Sequence, residues 1–132
     1  MRTTLTAFST ILALALTSTA LLAHHSFASE FDTAKPITVT GVVSKVEWTN
    51  PHTWFFVDGK DETGRDATWS FEGAAPSLLV RRGLGKTTVK VGDMVTIEGY
   101  RAKDASEVAS STFVQLPDGK KVRLGVVGGP SD

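Results

Sequence analysis

No cysteine occurs anywhere in the 132 residues. Disulfides, thiolate nucleophiles and thiolate-held zinc or iron–sulfur centres are thereby excluded, and a lipid anchor on a terminal Cys is not expected. An excess of charge of one sign is also missing, since 14 Lys+Arg face 14 Asp+Glu. A nucleic-acid binder needs a basic excess to displace counterions, so that class is set aside. No Gly-x-Ser-x-Gly elbow surrounds Ser26 or Ser77, and Gly83-Leu84-Gly85-Lys86-Thr87 lacks the spacing of a phosphate loop. Beyond the initiator there is a single methionine, Met94, which reads as core filler. No internal repeat or low-complexity run occurs, and the length suits one domain.

The amino terminus has a distinct character. Arg2 is followed by Leu5 to Ala23 with no charge, an apolar run over Ile11 to Leu16, and small residues up to Ala23. That is the pattern of a secretory signal peptide over residues 1–23, and it predicts a periplasmic protein with no membrane anchor after cleavage. A single membrane-spanning helix is the alternative, but the stretch is short for one and rich in Thr and Ser. Cleavage after Ala23 leaves a chain that begins His24-His25-Ser26-Phe27. Cleavage after Ala28 also obeys the small-x-small rule and would discard both histidines.

The remainder reads as β structure. From Ile37 the apolar residues alternate, with Ile37, Val39 and Val43 in one phase and Val42, Val46 and Trp48 in the other. The phase change is expected at Gly41, as a bulge in a long bent strand that serves two faces. Asn50-Pro51-His52 breaks this strand. Further strands are expected over 53–57, over 67–71 with Trp69 and Phe71 inward and Glu72 outward, over 94–101 and over 111–116. Pro76 to Gly83 reads as a short helix, with Pro at its start and Gly just past its end. Strand, strand, strand, helix, strand, strand is the order of an OB-fold-like five-stranded Greek-key barrel, with an open β-sandwich as the alternative. The single domain spans 24–124, and 125–132 forms a Gly/Pro-rich tail.

Several segments together resemble a family of small exported bacterial proteins of unknown function. These are His24-His25-Ser26-Phe27, Trp48-Thr49-Asn50-Pro51-His52-Thr53-Trp54, Leu79-Val80-Arg81-Arg82-Gly83, and Gly92-Asp93 with Glu98 to Lys103. Asn-Pro-His-x-Trp is the most specific of them. The resemblance implies export and a small β-barrel, and it implies no reaction.

The chemistry the residues suggest centres on histidine. Only three exist: His24, His25 and His52. An amino-terminal His can chelate one ion through its α-amino group and its ring, and a loop imidazole would complete a three-nitrogen brace. Donors of nitrogen without thiolate suit copper, and imidazole ligation weakens in mild acid. Each histidine also has an ordinary reading, with His25 packing and His52 bonding a backbone carbonyl. A second class of function is an envelope module whose Trp-rich face, with Trp48, Asn50 and Trp54, binds a protein or glycan. Those rings also have an ordinary reading as core, because aromatics dominate small β cores. A mononuclear copper enzyme is a third reading, and it needs an open coordination position. Glu47, Glu72 and Glu98 have no fixed separation in the sequence and make no catalytic pair there.

Overall fold

The computed structural model describes residues 27–125 and residue 129. The signal-peptide segment, His24, His25 and most of the tail lie outside the described residues. From Phe31 on, the elements run in order: β1 (Phe31–Glu47), β2 (Trp54–Asp61), β3 (Asp66–Glu72), α1 (Pro76–Arg81), β4 (Met94–Ala102), β5 (Val108–Gln115) and β6 (Lys121–Arg123). The strands form one sheet in the order β3-β2-β1-β4-β5-β6, and β3 also pairs with β5 in parallel, so five strands close into a ring. This is the OB-fold-like arrangement that the element order implies, with α1 between the third and fourth strands. The short β6 is an addition to it. The Pro117-Asp118-Gly119 turn, with Gly119 at φ +85°, folds β6 back onto β5. Among the described residues no helix is long and apolar enough to cross a membrane.

β1 begins at Phe31, six residues before the alternation shows in the sequence. Residues 31–42 pair with β4 and residues 39–47 with β2, as one long strand serving two neighbours must. The inward phase is Ile37, Val39, Gly41 and Val43, all buried. The register shifts between Val43 and Lys45, after which Val46 turns onto the core. The bulge therefore sits at Ser44, whose hydroxyl donates to the Phe56 carbonyl at 3.3 Å, and not at Gly41. Gly41 meets a different demand. It lies opposite Gly59 on β2, and a Cβ on it would stand 2.2 Å from the Asp58 carbonyl oxygen.

The core gathers Val39, Val43, Phe55, Val57, Trp69, Phe71, Ile97 and Val114 from the inner faces of the strands. α1 contributes Leu79 and the loop after it Leu84, both fully enclosed. Pro76 starts this helix where a missing N–H costs nothing, and Gly83 at φ +86° ends it. Met94 is 55% exposed rather than core filler, since it opens β4 beside exposed Val42.

The β2–β3 turn is pinned by Asp61. Its enclosed carboxylate accepts bonds from the Thr63 hydroxyl (2.6 Å), the Thr63 and Arg65 backbone N–H groups, and the Arg101 guanidinium (2.6 Å). The Thr63 hydroxyl bond leads the effects that hold the Asp61 carboxyl below its usual range, although burial opposes it. A depressed carboxyl contributes stability at any pH above its ordinary range and loses it as pH falls through the lowered value. Denaturant melts at a series of acidic pH values should therefore show a shallower acid limb for Asp61→Asn than for the wild type. Equal slopes would show that Asp61 plays no part in acid lability.

Candidate functional site

The loop between β1 and β2 is tied to the far end of β3 by backbone and hydroxyl bonds. Thr53 donates its N–H (3.2 Å) and its hydroxyl (2.9 Å) to the Ala74 carbonyl, and the Gly73 N–H donates to the Thr53 carbonyl at 2.8 Å. Ser111 on β5 donates its hydroxyl to the Glu72 carbonyl at 2.5 Å. With Trp54 opposite Glu72 in the β2–β3 register, His52 is carried to the Glu72 side chain. There His52 Nδ1 meets Glu72 Oε1. In the neutral ring this contact makes Nδ1–H the donor and leaves Nε2 with its lone pair.

Period two places Glu72 outward, but it is buried instead, its side chain only 11% exposed. The strand alternation holds through Trp69 and Phe71, but at the end of β3 the ring closes against β5 and covers the outer side as well. Burial pushes the Glu72 carboxyl upward. The His52 contact opposes that shift, and the nearby Glu30 carboxylate adds to it. The ordinary reading of His52, a ring bonded to a backbone carbonyl, is replaced by a ring bonded to a carboxylate.

Glu72 and Trp54 open onto a cleft of about 430 Å³ that also includes Glu30, Phe31, Lys103 and Asp104. The segment entering β1 is fastened beside this cleft. Phe27 packs on Phe31 with ring centroids 5.4 Å apart and meets Tyr100 edge-on at 6.4 Å. Lys103 donates its backbone N–H to the Glu30 carbonyl (2.9 Å) and its ammonium to the Ala28 carbonyl (2.5 Å). A larger groove of about 620 Å³ runs over Gly41 and Gly59, and three of its carboxylates, Asp58, Asp61 and Glu62, are engaged locally. Asp58 accepts the Thr68 hydroxyl, and Glu62 accepts the Thr38 N–H.

Of the predicted site residues, His52 and Trp54 come to the same end of the ring through Glu72. Trp48 is half-buried against the main core, Asn50 is exposed, and the Asn50–Pro51 peptide is cis. His24 and His25 lie outside the described residues, and among the described residues no three His, Asp or Glu are grouped to hold a metal ion. Sequence reasoning missed Glu72 as the partner of His52. The signal was the β2–β3 hairpin itself, since a turn at 62–65 puts residue 72 across from residue 54 and next to the loop that bears His52.

A family model matches residues 12–111, from the apolar amino-terminal run into β5. The chain belongs to DUF6152, a family of unknown function. The part matched to DUF6152 holds every element from β1 through β4, both glycines of the tight crossing, and the His52–Glu72 pair. No curated protein and no solved structure matches the chain.

Proposed function

We propose that this protein is an exported, non-enzymatic metal-binding module of the periplasm whose ion is copper(II), held by His24 and His52 with His25 adjacent. The observation that carries the reading is the His52–Glu72 contact. Imidazoles that ligate metals almost always donate their other N–H to a carboxylate or carbonyl, which fixes the tautomer and raises ligand basicity. Glu72 does this for His52, and the ring remains 40% exposed. The docking of Phe27 supports the rest. It sets the start of the described chain beside the cleft that Glu72 lines. An amino-terminal His at residue 24 would supply an amine and an imidazole. With His52 Nε2, the donor set contains nitrogen alone, for which copper(II) heads the divalent order.

Calorimetric titration of the exported protein with copper(II) tests the reading. A dissociation constant tighter than ~10 μM is expected, with a loss of ~10-fold or more in His52→Ala and of ~10–100-fold in Glu72→Gln. Binding no tighter than that limit, or unchanged in a His24→Ala, His52→Ala double variant, would overturn it. Intact mass of the periplasmic protein gives a separate check, and a chain beginning at His24 is expected. A chain beginning at Ser29 would remove two of the three ligands. It would leave the second reading, a module that takes an envelope protein or glycan on its Trp-bearing face, which Trp54 at the cleft favours.

A further inference from the structure

The cleft beside His52 has features that a metal at the imidazole does not use. Glu72 gives one carboxylate oxygen to His52, and its other oxygen has no hydrogen-bond partner among the described residues. That oxygen is not enclosed, and Glu72 lines the cleft. Three acids line the cleft: Glu30, Glu72 and Asp104. The Asp104 carboxyl is held below its usual range by the Ser106 hydroxyl, so it is ionised at neutral pH. The one ammonium in the lining, Lys103, is taken by the Ala28 carbonyl. Three acids against one ammonium give the lining a net negative charge, which repels anionic ligands. The remaining walls are apolar, with Phe31, Trp54 and Val108. The acids do not converge as a metal cage would, and among the described residues no such group exists. An anionic cleft with aromatic walls is the chemistry that recognises an organic ammonium, through charge at one end and ring faces along the body.

We infer that this cleft binds a small organic amine, with its ammonium between Glu72 and Glu30 and its apolar body along Trp54 and Phe31. The volume of about 430 Å³ suits a ligand of that size and lies within the range of ordinary small-molecule sites. The inference does not rest on copper binding. A protein that fails to bind copper(II) yet binds the amine would overturn the metal reading and support this one.

The test uses 2-phenylethylamine as probe and 2-phenylethanol as its neutral counterpart, titrated into the full protein freed of metal by a chelator. The amine is expected to bind with a dissociation constant below ~1 mM, and the alcohol at least ~10-fold more weakly. Glu72→Gln should lose ~10-fold or more in amine affinity and leave the alcohol unchanged. Because Glu72 is buried, Glu30→Gln at an exposed position provides a second variant with little risk to folding, and a several-fold loss is expected there. Glu62→Gln, in the other groove, should bind the amine as the wild type does. No saturable amine binding up to ~10 mM, equal binding of amine and alcohol, or an equal loss in Glu62→Gln would each overturn the inference.

Discussion

Trp69→Ala is expected to cost about 3–5 kcal/mol, about a fifth or more of the stability of a domain this size. The indole is fully enclosed at the middle of β3, opposite Val57, within the main core. The guanidinium of Arg101 lies 4.8 Å from the ring centroid and that of Arg65 lies 5.7 Å away, so truncation also removes the surface on which two cations stack. Trp69→Phe provides the contrast. The indole Nε1 is buried without a hydrogen-bond partner, so phenylalanine gives up an unsatisfied donor together with part of the volume. A cost below about 2 kcal/mol is expected for it. Denaturant unfolding of the two variants checks both values, and equal losses would mean that packing volume plays little part at this position.

Gly41→Ala is expected to destabilise by about 3 kcal/mol, at the upper end of overpacking effects. The added methyl would stand 2.2 Å from the Asp58 carbonyl oxygen and 2.5 Å from the Gly59 Cα. Both obstacles are backbone, so relief requires β1 and β2 to separate where their ladder is tightest. Gly64→Ala is the comparison. That glycine has φ +84° and open space around it, so alanine there meets only backbone strain, about 1 kcal/mol. Thermal melts should rank Gly41→Ala well below Gly64→Ala. The reverse order would show that the strand crossing yields easily.

The value of the Gly41 contrast is that the sequence marks this residue for the wrong reason. The alternation of Ile37, Val39 and Val43 against Val46 announces a long strand that changes faces, and glycine is the usual signature of such a change. The face change occurs at Ser44 instead. What requires glycine at 41 is a partner 18 residues away, Gly59, and cross-strand proximity leaves no local trace.

Composition and periodicity by themselves determined that the described chain would be a small β domain without thiol chemistry. They also determined that Trp69 and Phe71 would face inward, and that a short helix bounded by Pro76 and Gly83 would separate the third strand from the fourth. These features follow from near-neighbour physics: a side-chain period of two, proline's missing N–H, and glycine's access to positive φ. Tertiary structure alone decided the position of Glu72. Period two sends it to solvent, yet ring closure of β3 against β5 buries it, and the hairpin register sets it against His52. Tertiary structure also turned Met94 outward and brought Glu30, 42 residues away in sequence, beside Glu72 at one cleft. A carboxylate reads as surface in any local window. Only the pairing of distant strands encloses it and gives it a partner, and so that pairing sets where the site lies.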